Sequence, residues 1–144
     1  MHQSIPFFFA FMLLTSCSDN HLIDQPPIST CDDQVSIDEQ RYQDDSSSLF
    51  NLISLNIEGD CMKVSFSASG CNSNSWKMDL VASDAIAESL PEQRYLKLSL
   101  ENLEACLAVF TRDISFDLSS LQIQNDGALI LNLEGFEGNL TYEY

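Results

Sequence analysis

The sequence predicts an all-β fold, an antiparallel β-sandwich of about eight short strands over residues 49–144. Three observations predict it. Apolar and polar residues alternate along most of this stretch, which is the period of a strand with one dry and one wet face. Turn residues separate the alternating runs every 8–15 residues, the spacing of a sandwich. Helical periodicity is nearly absent: the one candidate, Asp84–Leu90, is short and ended by Pro91. A small closed barrel is the alternative arrangement of the same strands.

The elements follow in order. Ile53, Leu55 and Ile57 alternate with Ser54 and Asn56, and Glu58-Gly59-Asp60 forms a turn. Met62, Val64, Phe66 and Ala68 then alternate with Lys63, Ser65 and Ser67, completing a hairpin. After a turn over 69–74, Trp76, Met78 and Leu80 alternate with Lys77 and Asp79. Leu96, Leu98 and Leu100 form the next strand, and Leu107–Phe110 is apolar on both sides, like a central strand. Ile114, Phe116 and Leu118 form another. Asp126-Gly127 is a strong turn dipeptide before Leu129, Leu131 and Leu133. Leu140, Tyr142 and Tyr144 close the chain. The order Cys61, Trp76, Cys106 loosely mimics an immunoglobulin domain, so an immunoglobulin-like arrangement is a candidate. The tyrosine expected two residues before the second cysteine is replaced by Glu104, and membership of that family is not supported.

This body offers little chemistry. Residues 49–144 contain no His, so neither a Ser-His-Asp nor a Cys-His site can be assembled there. No phosphate-binding glycine loop, HExxH or GxSxG motif occurs. The expectation is a non-catalytic protein without metal or cofactor, a small carboxylate-based hydrolase being the remote alternative. Trp76 shares parity with Met78 and Leu80 and is expected in the core rather than as a sugar platform. Tyr95 has the opposite parity and is the expected exposed aromatic. Arg94, Lys97 and Lys63 are expected on a wet face, pairing with Asp79 or Glu101. The sequon Asn139-Leu140-Thr141 is read as accidental. An exposed aromatic row would point to a glycan ligand, an apolar patch to a protein partner, and a deep pocket with two carboxylates to a hydrolase.

The first 16 residues are different in kind. They hold no acid, Lys or Arg, and their apolar stretch runs ten residues, Ile5 to Leu14. A helix needs roughly 20 apolar residues to cross a bilayer, so this matches the apolar region of a signal peptide instead. Leu14-Thr15-Ser16-Cys17 then resembles the lipobox of bacterial lipoproteins. The resemblance implies that residues 1–16 are a lipoprotein signal peptide, cleaved just before Cys17, whose thiol carries a diacylglycerol. Each buried CH₂ contributes ~0.8 kcal/mol, so two or three acyl chains anchor a protein to a lipid bilayer without a spanning helix. Ser18 rather than Asp follows Cys17, and Ser18-Asp19 resembles the start of the acidic export tag of Bacteroidota lipoproteins, although Asn20-His21 departs from it. An outer-membrane address, with display at the cell surface, is what this implies.

Residues 17–48 read as the lipidated cysteine and an acidic flexible tether, solvated over most of its length except near Cys31 if that thiol is bonded. Positions 18–48 carry eight acids and one Arg, with Pro26-Pro27, a serine run at 46–48 and no sustained period. The pairs Asp32-Asp33, Asp38-Glu39 and Asp44-Asp45 lack the spacing and glycine of a calcium loop. The whole chain has 22 acids against six Lys and Arg, a net charge of −16, which excludes nucleic acid and polybasic membrane attachment. Expected partners are the lipid bilayer, through acylated Cys17, and an envelope protein or glycan.

Five cysteines leave one over, and lipidation of Cys17 accounts for it. The strand over 62–68 would hold Cys61 and Cys71 more than ~20 Å apart, beyond the ~7 Å a disulfide tolerates. Alternating strand directions put Cys71 and Cys106 at one end, favouring Cys71–Cys106 and leaving Cys31–Cys61. The blocks IEGDCMKVSFSASGC (57–71), PEQRYLKLSLENLEAC (91–106) and the closing LTYEY resemble small uncharacterised lipoproteins of Bacteroidota. That resemblance implies fold and address, and brings no catalytic residue with it.

Overall fold

A computed structural model describes residues 30–44, 46–124 and 127–144. The leader, Cys17 and residues 18–29 of the tether lie outside the described residues, as does Asp126 of the last turn dipeptide. The fold is all-β and sandwich-like, with two sheets and no barrel. The strands are β1 (Asp33–Gln34), β2 (Ser36–Ile37), β3 (Asn51–Glu58), β4 (Cys61–Gly70), β5 (Lys77–Ala87), β6 (Glu92–Glu101), β7 (Ala108–Asp117), β8 (Ala128–Leu133) and β9 (Leu140–Glu143). The first sheet has the order β1-β7-β4-β3 and the second β2-β5-β6-β8-β9.

Alternation places most side chains as the sequence predicts. On β3 the exception is Ile53, expected on the dry face with Leu55 and Ile57 but 51% exposed, because a register irregularity between Leu52 and Ser54 turns it out. Met62, Val64 and Phe66 of β4 face Leu80 and Ala82 of β5, Leu96, Leu98 and Leu100 of β6, and Leu129 and Leu131 of β8 in one core. Each such side chain contributes ~1.5–3 kcal/mol when fully removed from water. Gly59, at φ +57°, makes the β3–β4 turn, where a left-handed residue is needed. Trp76 is in the core.

Four further expectations are corrected. The sheets are mixed rather than purely antiparallel: β1–β7, β2–β5 and β6–β8 are parallel pairs. The reason is connectivity. Strand β7 belongs to the first sheet, so the chain must cross to the second before laying β8 alongside β6, and such a crossover permits parallel pairing. The helical candidate Asp84–Leu90 is instead the end of β5, with a register irregularity between Ala82 and Ile86, followed by a turn with a cis Leu90–Pro91 bond. Pairing with β6 overrides the weak local preference. Residues 107–110 and 114–118 do not form two strands: β7 runs continuously over 108–117, and Leu107 and Val109 face solvent.

The fourth correction concerns residues 32–44 and 46–48: the folded part is not confined to the neighbourhood of Cys31, and these residues too belong to the folded unit rather than to a solvated tether. Val35 enters the core between β1 and β2. Its amide donates to Asp117 O at 3.1 Å in the first sheet, and the Asp38 amide donates to Ala82 O at 3.0 Å in the second. This short arm therefore closes one edge of both sheets, which bookkeeping of its apolar content could not reveal. Asp38 then caps a helical turn, α1 (Glu39–Tyr42), accepting from the Arg41 amide at 3.0 Å. The serine run is bonded to the end of β6: Ser48 N donates to Leu100 O at 2.8 Å, and Ser47 Oγ accepts from Leu100 N at 3.0 Å.

Candidate functional site

The two ends of the sandwich differ. At one end lie residue 30, where the described chain begins, the β3–β4 turn, and the Cys31–Cys61 disulfide with Cα atoms 5.7 Å apart. Here Tyr142 on β9, fully buried, donates to Asp60 Oδ1 at 2.6 Å and accepts from Gln122 Nε2 at 2.8 Å. The last strand is thereby bonded to the first hairpin turn. Burial, and next the Asp60 carboxylate, push the phenol well above its ordinary pKa.

At the other end, β4 and β6 finish and β5 and β7 begin. The Cys71–Cys106 disulfide, with Cα atoms 4.8 Å apart, joins residues 71–76 to residues 102–107. Glu104 organises both segments. Its Oε2 accepts from the amides of Cys71, Asn72 and Ser73 at 2.5, 3.1 and 3.2 Å, and its Oε1 from the Ser75 hydroxyl at 2.7 Å. The Ser75 hydroxyl and these amides hold the carboxyl at about 2. Asn102 accepts from the Glu104 amide at 2.9 Å and donates to Ser69 O at 2.8 Å. Beneath these loops, Phe50, Phe66, Trp76 and Phe110 form a chain of ring contacts with centroids 6.1, 6.1 and 6.5 Å apart.

The polarity of this end is inverted. The polar side chains of residues 102–107 turn in and hold the loop, while its leucines turn out. Leu103 and Leu107 are 87% and 89% exposed, Val109 is 70% and Leu49 95%. Leu49 follows Ser48, whose hydroxyl accepts from the Asn102 amide at 3.2 Å, so it belongs to the same end as Leu103. Val109 stands opposite Ser69 in the β4–β7 register. Four aliphatic side chains are thus displayed on a frame fixed by a disulfide, a carboxylate cradle and an aromatic layer.

The other residues singled out in the sequence fall elsewhere. Tyr95 is exposed. Lys97 is buried rather than wet: its Nζ donates to Asp44 O at 2.9 Å and Tyr42 O at 3.3 Å beneath the α1 segment. Arg94 is also buried. Lys63 pairs with Glu58, Asp79 with Arg41 at 2.7 Å, and Glu101 with Lys77 at 3.5 Å. Asn139 is exposed just before β9. A groove of about 400 Å³ on the outer face of the first sheet is lined by two carboxylates, Asp32 and Asp113. Asp32 accepts from the Ser115 hydroxyl at 2.6 Å and amide at 2.8 Å, which lowers its pKa, the opposite of what a general acid needs. Among the described residues no cluster of three His, Cys, Asp or Glu could hold a metal. None of their helices is long and apolar enough to cross a membrane.

Sequence reasoning missed Glu104, Leu103 and Leu107. It noted Glu104 only as a missing tyrosine, whereas a lone acid two residues before a cysteine was the available signal.

The fold and its two ends define a two-sheet mixed β-sandwich. No family model matches the chain, nor does any curated protein. Among solved structures the chain is similar to a protein of unknown function, DUF1344, from Bacteroides vulgatus ATCC 8482. The TM-score is 0.52 at 16% identity, covering 78% of this chain and 56% of that one. At that identity the likeness shows the fold alone. The chain spans just over half the length of that neighbour.

Proposed function

We propose that this protein is a non-catalytic docking module, anchored to the bacterial outer membrane through acylated Cys17, that presents its apolar end to a protein partner. The observation that carries the reading is the inverted loop over 102–107, with Glu104 turned in and Leu103 and Leu107 turned out. Exposed leucines on a floppy loop would be unremarkable; on a pinned frame they bind without a large ordering cost. The anchor reading rests on the apolar leader and Leu14-Thr15-Ser16-Cys17. Geometry suits it: the ten residues of β4 run from Cys61 to Gly70, so the leucines stand ~33 Å from the end where residue 30 enters.

A net charge of −16 opposes both a second copy of the chain and an anionic lipid surface. The fitting occupant is a different protein whose apolar contact is rimmed by basic residues. A photo-crosslinking amino acid at position 103 of the full lipoprotein in its own membrane tests this. The expected result is one discrete heteromeric adduct, lost with Leu107→Asp and absent when the probe replaces Tyr95. A homodimeric adduct, lipid adducts alone, or no adduct overturns the reading.

A further inference from the structure

We propose that the outer face of the first sheet carries a second binding site, separate from the apolar end, that takes a neutral, hydroxyl-rich ligand of the saccharide class. The groove of about 400 Å³ lies within the size range of small-ligand clefts. Its floor is set by strand register. Ser54, Ser65 and Asp113 stand side by side across β3, β4 and β7, and Asn56, Lys63 and Ser115 form the adjoining row. Neighbouring strands are ~4.8 Å apart and successive rows ~6.8 Å apart, so the floor is a grid of polar groups at sub-nanometre spacing.

The second row is internally committed. Lys63 and the Asn56 amide both donate to Glu58, and Ser115 is bonded to Asp32. The first row is not: the hydroxyls of Ser54 and Ser65 and the carboxylate of Asp113 make no hydrogen bond among the described residues. One row therefore offers two groups that can donate or accept, beside one that only accepts.

That pattern selects a ligand. It must donate to a carboxylate and exchange hydrogen bonds with two hydroxyls. An anion meets Asp113, Asp32 and a net charge of −16. A metal ion lacks a ligand cluster among the described residues. An extended peptide lying over the floor gains little from β4 and β7, interior strands whose backbone groups are already paired, and one added at the open β3 edge would lie beside the floor and leave Ser65 and Asp113 unused. A polyol satisfies all three free groups. The register irregularity beside Ile53, at the β3 edge, leaves that side chain half exposed next to Ser54, where it can meet the C–H face of a sugar ring.

The test is binding of the purified full chain in detergent to immobilised neutral glucan, mannan and galactan tetrasaccharides and to their sulfated counterparts. Binding to at least one neutral series is expected, weakened about tenfold or more by Asp113→Ala, the loss of one charged hydrogen bond. Ser65→Ala should weaken it less, and Leu103→Asp at the apolar end should leave it unchanged. No binding to any neutral series, a preference for the sulfated sugars, or unchanged binding by a folded Asp113→Ala variant overturns the proposal. Near-UV circular dichroism establishes that the variant is folded.

Discussion

The carboxylate of Glu104 occupies the space that a side chain at Gly70 would need. A Cβ built on Gly70 collides with Glu104 Oε2 and lies 2.7 Å from Trp76 Cζ2. The last residue of β4 is thus bare so that a carboxylate can reach over it to the amides of residues 71–73. The apolar end of the molecule is built on this exchange of a side chain for a cradle.

Glu104→Gln should destabilise the protein, and the loss should depend on pH in a defined direction. The folded carboxyl lies at about 2 against an ordinary 4.5. A depressed carboxyl stabilises the fold fully above its unfolded value and loses that contribution as pH falls through the folded one. The difference in melting temperature between wild type and variant should therefore be widest near neutrality and close between pH 4.5 and 2. A difference that stays constant over this range contradicts the cradle.

Gly70→Ala should cost about 1–3 kcal/mol, the usual magnitude for overpacking, read as a lower denaturation midpoint at unchanged slope. Because Trp76 is one of the two groups displaced, its fluorescence should shift in the folded variant. Gly70→Ala in a Glu104→Ala background should cost less, since one of the colliding groups is gone.

Tyr142→Phe removes a hydroxyl bonded to both Asp60 and Gln122. The expected cost is about 1.5–3 kcal/mol, the range for a hydrogen bond to a charged group. In the wild type the phenol pKa is raised, so its contribution is complete below the ordinary value of 10.0 and is lost as pH climbs toward the folded one. Alkaline melting of wild type and Tyr142→Phe should converge. Parallel curves would show that the bond does not couple to ionisation.

Cys17→Ala should abolish acylation. Metabolic labelling with a fatty-acid probe should mark the wild type and leave the variant blank, and the variant should leave the membrane fraction. Labelling that persists in the variant would overturn the anchor.

The class of fold was legible because period 2 is a local property. The hairpin formed by β3 and β4 can be read from Leu55 to Ala68 without knowing anything else, and Trp76 can be assigned to the core by parity with Met78 and Leu80. The apolar end was not legible, because parity misleads there. Leu103 and Leu107 alternate with Glu104 as buried and exposed residues of a strand would, yet the acid is the one turned inward. What reverses the pattern is a set of donors contributed by residues 71–75, about 30 positions away. The burial of Lys97 is hidden for the same reason, since the carbonyls that accept from it come from residues 42 and 44.

The sequence alone determined that the chain is β-structured, which faces of most strands are dry, and that no histidine is available to its body. These follow from residue types and their spacing along the chain. Tertiary structure alone decided that β8 lies parallel to β6, that Val35 and its neighbours close the edges of both sheets, and that a half-buried carboxylate turns inward while two leucines face out. Each of those depends on free energy shared between segments far apart in sequence, and no local period carries it.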